Sequence, residues 1–145
     1  MILRILTILI LLIVAGMAYV RLAPMDPARV HQASAPQPPG DYAATGGFTA
    51  VRTIIAPAAQ VLATLEQRAL ATPRTRVVAG RVDQGMITFV TRSRIMGFPD
   101  YTTVQVDGDT LTIHGRLRFG QSDLGVNRAR VQGWLDALGP LTAEL

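Results

Sequence analysis

The chain has no cysteine among its 145 residues, and its only histidines are His31 and His114. The lack of cysteine excludes disulfide bonds, thiolate metal sites, a cysteine nucleophile and a lipidated cysteine. The two histidines and the scattered aspartates do not have the spacing of a metal site. A phosphate-binding loop and a dinucleotide fingerprint are also missing. The sequence therefore predicts no metal and no other cofactor.

Lysine is absent too, so all 14 basic residues are arginines, set against 10 acidic residues. Arg4 and Arg21 flank the apolar N-terminal run, which leaves twelve arginines against ten acidic residues, a net charge of +2, in the rest of the chain. No basic run is interleaved with aromatic residues, as it is in many nucleic-acid-binding segments. We therefore expect no nucleic-acid partner.

The N-terminal segment, residues 1–22, includes sixteen successive uncharged residues at positions 5–20. A helix of that length spans about 24 Å, and it approaches the ~30 Å hydrocarbon core of a bilayer if the Arg4 side chain extends to the interface. This pattern predicts a single-pass membrane anchor. A cleaved signal peptide, with Gly16, Met17 and Ala18 at the cleavage site, is the alternative. We expect an inner-membrane protein whose C-terminal domain lies in the periplasm.

Residues 23–46 contain five of the nine prolines. This composition predicts a semi-extended tether, in which His31 is expected to be solvated and without partners. The more regular patterns of residues 47–145 predict a single domain.

Within residues 47–145, apolar residues alternate or recur at helical spacing in the order β-α-β-β-β-β-α. Most of the strands are joined by short turns, which favours an antiparallel sheet. The predicted fold class is therefore α+β, with an antiparallel sheet of about five strands and two helices packed on one face. A sheet curled around the C-terminal helix, as in helix-grip ligand-binding proteins, is the alternative.

The last predicted hairpin places basic side chains on one face. If Val106 pairs with Leu111, then Val104 and Ile113 share the apolar face, and the arginines lie on the other. Arginine suits carboxylate and phosphate groups geometrically. The candidate ligand-binding residues are Arg92, Arg94, His114, Arg116 and Arg118. The alternative is a solvated face whose arginines pair with Asp100, Asp107, Asp109 and Asp123.

The residue types of a hydrolase are also present, in Ser122, His114, Asp100 and Asp123. They could supply a nucleophile, a base and an orienting carboxylate. However, the string GQSDLG is not the G-x-S-x-G motif, because Leu124 adds a residue before the second glycine. We therefore predict no catalytic residue and keep a hydrolase as an alternative.

The segment RFGQSDLGVNRARVQGWL runs from turn residues into an amphipathic helix. Asn127 is expected to cap this helix, and Gly125 to provide the turn. We expect Asp123 and Arg128 to tie the loop to the Phe98–Asp100 turn and to dock the helix that carries Trp134. The predicted structural motif comprises Phe98, Pro99, Asp100, Ser122, Asp123, Gly125, Asn127, Arg128 and Trp134.

Two strings, RSRIMGFPDYTTVQV and RFGQSDLGVNRARVQGWL, resemble domain-of-unknown-function family 1499, which is found in bacteria and plastids. The specific parts are F-P-D at 98–100 and S-D-L-G-V-N-R at 122–128. Val30 stands where an aromatic residue is expected, and Gly115 and Leu117 stand where serines are expected. The resemblance implies an exported or membrane-associated single domain, and it implies no activity.

Together these features predict a membrane-tethered, periplasm-facing module that binds an anionic or lipid-like small molecule or an envelope protein. A hydrolase-type enzyme and a scaffold of an envelope complex are the alternatives.

Overall fold

A computed structural model describes all residues, 1–145, of the chain. The N-terminal helix α1, Ile2–Leu22, has no buried residue. By length and composition it could cross a membrane, although a signal sequence near an N-terminus meets the same criteria. A single helical turn, α2 (Pro27–Val30), follows. The Asp26 side chain caps α2 by accepting a hydrogen bond from the Ala28 amide at 3.0 Å.

Six antiparallel strands form one sheet in the order β1-β2-β6-β5-β4-β3. Their bounds are β1 Gly40–Ala44, β2 Gly47–Thr53, β3 Thr75–Arg81, β4 Met86–Arg92, β5 Pro99–Asp107 and β6 Thr110–Leu117. The sheet has six strands instead of about five because β1, at the end of the segment predicted as a tether, pairs with β2. A composition rich in proline and glycine hid this short edge strand from the sequence pattern.

Two helices, α3 (Ala58–Ala71) and α4 (Val126–Leu135), cover one face of the sheet, which confirms the α+β prediction. α3 packs against β3, β4 and β5, whereas α4 packs against β2 and β6. Trp134 of α4 is buried. Its ring lies edge-to-face against the Phe89 ring, with the ring centroids 5.4 Å apart, and its Nε1 donates to the Thr72 hydroxyl at the end of α3 at 3.0 Å. Between the sheet and the helices lies a core of 15 buried residues.

The register of the last hairpin is the predicted one: Val106 pairs with Leu111, and Val104 with Ile113. Val104, Leu111 and Ile113 belong to the core, so the alternate positions of β5 and β6 face away from the helices. We call this second surface the open face. It carries His114 and Arg116, as the alternation predicted.

Helix α4 begins differently from the prediction. Its N-cap is Gly125 at a φ of 83°, and the carboxylate of Asp123 caps the helix by accepting from the Gly125 amide at 3.1 Å and the Asn127 amide at 2.9 Å. These two bonds lower the pKa of Asp123 despite the opposing effect of its partial burial. Asn127 therefore does not cap α4. It lies buried in the first turn, where its Oδ1 accepts from Arg130 at 2.6 Å.

The expected tie between the loop and the Phe98–Asp100 turn exists, but Arg130 makes it and Arg128 does not. Arg130 donates to the Asp100 carboxylate at 3.2 Å, and both side chains are largely buried. Burial raises the pKa of Asp100, and the neighbouring Arg130 opposes that rise. Arg128 instead lies over the Phe48 ring at 5.4 Å. Positions three apart share one side of a helix, so Asn127 and Arg130 face the sheet together whereas Arg128 lies to one side.

Candidate functional site

The open face is crossed by residues 23–37, which we call the strap. The His31 Nδ1 lies 2.9 Å from the Thr88 hydroxyl, and the Ser34 amide donates to the Gln105 side chain at 2.7 Å. The prediction that His31 is a solvated residue without partners is therefore wrong. Its imidazole packs so closely on β3 that a Cβ at Gly80 would come within 2.6 Å of the ring.

Two of the predicted ligand-binding arginines hold this strap. Arg116 donates to the carbonyl oxygen of Val30 and to the Thr103 hydroxyl, and burial lowers its pKa. Arg118 donates to the carbonyl oxygens of Ala23 and Pro24. Neither arginine pairs with a carboxylate. Both therefore make their hydrogen bonds inside the chain, to the backbone of the strap and to hydroxyl groups of β5.

His114 lies on the open face beside a polar cleft of about 310 Å³ that the strap helps to line. Its Nδ1 is 2.7 Å from the Thr49 hydroxyl. Burial, together with the nearby Arg116 charge, lowers the pKa of His114. The imidazole is therefore predominantly neutral at pH 7 and does not add to the positive charge of the face.

Asp100, Ser122 and Asp123 line one cleft near the start of α4, but His114 does not meet them. His114 is on the open face, whereas the Asp100 side chain points to the helix face, where it pairs with Arg130. The Ser122 hydroxyl accepts from the Leu124 amide at 3.3 Å, and Asp123 caps α4. The Ser-His-Asp arrangement that the residue types suggested is therefore not assembled.

The other two predicted arginines, Arg92 and Arg94, lie in a different place from His114. They line a cleft of about 510 Å³ where β3 begins and β4 ends, together with Arg21, Arg74 and Arg76. We call this the arginine cleft. Apart from the five arginines, its lining is Thr75, Val90, Ser93 and Gly97.

The backbone holds the inner part of the arginine cleft in place. Arg92 donates to the carbonyl oxygens of Gly97 at 2.9 Å and of Arg21 at 3.3 Å. Arg74 donates to the Arg92 carbonyl at 3.0 Å, and Arg21 to the Ile95 carbonyl at 3.0 Å. These bonds position three of the five guanidinium groups without neutralising any of them.

The outer arginines, Arg76 and Arg94, make no hydrogen bond or ion pair through their side chains, and both are exposed. The four ion pairs of the chain involve other arginines, at positions 29, 52, 81 and 130. The arginine cleft therefore has five positive charges and no carboxylate within 4.0 Å of any of them.

Backbone strain marks the same region. Only two residues other than glycine have a positive φ, Arg74 at 60° and Leu124 at 52°. A non-glycine residue in this conformation costs about 1–3 kcal/mol and is found disproportionately at functional sites. One of the two strained residues lines the arginine cleft.

The sequence pattern missed Arg21, Arg74 and Arg76. Arg21 was assigned only to the membrane anchor. The alternation that selected Arg92 on β4 was not extended to β3, the strand that pairs with β4. Arg76 pairs with Val90, which lies on the same face as Arg92, and Arg74 immediately precedes β3. That extension would have found Arg76, whereas Arg21 reaches the cleft only through the folding of the whole chain.

The structure thus defines a two-layer α+β domain, with a cationic cleft at the point where an apolar N-terminal helix meets the sheet. The chain belongs to the family described as "Protein of unknown function (DUF1499)", whose model matches residues 20–138. This match confirms the resemblance drawn from the F-P-D and S-D-L-G-V-N-R strings, and it includes all five arginines of the cleft. No curated protein matches the chain.

Proposed function

We propose that this protein is a membrane-tethered module that binds an anionic ligand in the arginine cleft. The observation that carries the proposal is the set of five arginines around one cleft without a carboxylate partner. Like charges gathered in this way repel one another, and a bound anion would relieve the repulsion. Phosphate and carboxylate groups also match the fork of the guanidinium group.

The lining favours a small and highly polar ligand. Val90 is the one apolar side chain in the cleft, and no aromatic ring lines it. An apolar ligand would find little surface to bury there, and a nucleobase would have no ring on which to stack. The exposed Arg76 and Arg94 are free to make the first contacts.

Anchoring by α1, in the inner membrane and with the domain in the periplasm, is part of the proposal. The helix is uncharged between Arg4 and Arg21, and none of its residues is buried against the domain. The exported orientation of the domain is the one predicted from the sequence, with Arg4 on the cytoplasmic side of the helix.

The test is to titrate pyrophosphate into the full-length chain in an uncharged maltoside detergent and to measure the dissociation constant by isothermal titration calorimetry. We expect the double variant Arg76→Gln/Arg94→Gln to bind at least about tenfold more weakly per arginine removed. A hydrogen bond to a charged group contributes about 1.5–3 kcal/mol, and 1.4 kcal/mol corresponds to a factor of ten.

The matched control is Arg29→Gln/Arg81→Gln, which removes the same charge from two exposed arginines that are already paired with Asp26 and Asp83. It should bind pyrophosphate as the unmodified chain does. Equal weakening in both double variants would mean that only net charge attracts the anion, and it would contradict the proposed site.

A further inference from the structure

The arginine cleft lies at the end of α1. Arg21 is in the last turn of this helix and also lines the cleft. Several contacts fix the position of the helix end on the domain. Arg92 donates to the Arg21 carbonyl, Arg118 donates to the Ala23 carbonyl, and the Tyr19 ring meets the Phe119 ring edge-on at 6.3 Å. If α1 spans a bilayer, these contacts hold the cleft at the bilayer surface.

The same end of the sheet exposes apolar side chains. Ile95, in the β4–β5 loop, is 77% exposed, and its carbonyl accepts the bond from Arg21. Leu124, in the loop after β6, is 93% exposed and has the strained φ of 52°. The two loops line a cleft together, since Ser93 and Leu124 both contribute to it. Apolar loop tips beside an apolar helix are suited to the interfacial region of a membrane.

From this placement we infer that the arginine cleft binds the phosphate headgroup of an anionic phospholipid from the bilayer around α1. The inference rests on the proposed function and names the source of its anion. The cleft is lined almost entirely by polar side chains, so it receives the headgroup alone. The acyl chains stay in the bilayer, next to α1 and the tips formed by Ile95 and Leu124.

A lipid is favoured over a free anion by the position of Arg21. A cleft for a soluble phosphate would not need a residue from the anchor helix, and it could lie anywhere on the domain. Here the guanidinium of the last helical turn is held toward the cleft by its bond to the Ile95 carbonyl. Basic residues next to a membrane helix also attract anionic lipids electrostatically.

The experiment uses the full-length chain in nanodiscs of phosphatidylcholine, with or without phosphatidylglycerol. After transfer to maltoside detergent, native mass spectrometry counts the phospholipid molecules that stay bound. We expect the unmodified chain and Arg29→Gln/Arg81→Gln to retain phosphatidylglycerol in preference to phosphatidylcholine. Arg76→Gln/Arg94→Gln should lose this preference, with retention lower by about tenfold or more. The fluorescence of Trp134 on heating verifies that each variant is folded.

The outcomes separate the two proposals. Pyrophosphate binding that depends on Arg76 and Arg94, without preferential retention of phosphatidylglycerol, would overturn the lipid inference and leave the proposed function standing. If the folded, unmodified chain binds neither pyrophosphate nor phosphatidylglycerol, both the proposed function and the lipid inference are overturned. Retention of phosphatidylglycerol that is equal in the two double variants would place the lipid elsewhere on the protein, and it would also overturn the inference.

Discussion

Asp123 is the residue that determines where α4 begins. Its carboxylate accepts two backbone hydrogen bonds at the start of the helix, where Gly125 takes the left-handed conformation that the turn requires. The buried pair of Asp100 and Arg130 then connects the first turns of α4 to β5. The S-D-L-G-V-N-R string is thus explained by helix capping and docking, with the carboxylate two residues before the N-cap.

At the residue scale we predict that Asp123→Asn lowers the free energy of unfolding by about 0.5–1.5 kcal/mol. The amide keeps one acceptor oxygen where the carboxylate has two, and the negative charge beside the helix N-terminus is lost. The pKa of Asp123 is lowered in the folded protein. Its stabilising effect is therefore present above the unfolded pKa of about 3.9 and is lost as the pH falls through the lower folded value. Urea unfolding at pH 7, followed by Trp134 fluorescence, measures the difference.

The control for this prediction is Asp107→Asn, at the exposed last residue of β5. It should leave the free energy of unfolding within about 0.5 kcal/mol of that of the unmodified chain. If Asp123→Asn were equally neutral but abolished ligand binding, Asp123 would be a ligand contact and not a cap.

At the element scale, the contact between α4 and β6 depends on Gly115. A Cβ at this position would come within 3.1 Å of the Asn127 Oδ1 and 3.2 Å of a Val131 methyl group. The helix therefore packs directly on the backbone of the strand. A side chain at position 115 would therefore require its neighbours in α4 to shift by a few tenths of an ångström.

We predict that Gly115→Ala destabilises the protein by about 1–3 kcal/mol, because the extra methyl group overpacks the interface between α4 and β6. Gly133→Ala is the matched control within α4, since a Cβ there meets nothing within 4 Å. That substitution should stabilise the helix by up to about 1 kcal/mol. Thermal unfolding of both variants measures the two effects, and the same sign for both would contradict the packing argument.

At the scale of the whole molecule, the strap joins α1 to the sheet by hydrogen bonds from Arg116 and Arg118. Helix α1 is therefore not connected to the domain by a free linker, and it meets the domain at a defined place. This arrangement brings Arg21 to the arginine cleft, and it covers the part of the open face that contains His114.

The proposed topology predicts the location of the C-terminus. A reporter that is active only in the periplasm, fused after Leu145, should be active, and a cytoplasmic reporter at the same position should be silent. Intact mass measurement of the purified protein should show an uncleaved N-terminus. The opposite reporter pattern would place the domain in the cytoplasm, and a shortened chain would identify residues 1–22 as a signal peptide.

The sequence by itself determined the local elements of this protein. Apolar residues recur at helical spacing at Val61, Leu62, Leu65 and Ala69, and these four residues form the buried face of α3. With Val106 taken opposite Leu111, alternation predicted that Val104 and Ile113 share the apolar face of β5 and β6. These features follow from the spacing at which side chains return to the same face of a helix or strand. That spacing can be read from neighbouring residues without knowledge of the rest of the chain.

The tertiary structure alone decided which arginines meet. Sequence alternation put Arg92 and Arg94 in one group with Arg116 and Arg118, whereas the fold assigns the first pair to the arginine cleft and the second to the strap. Arg21 reaches Ile95 across 74 positions of sequence, and Arg118 reaches Pro24 across 94. The local periodicity of the sequence cannot predict such contacts, because they depend on strand order and on the path of the strap across the sheet.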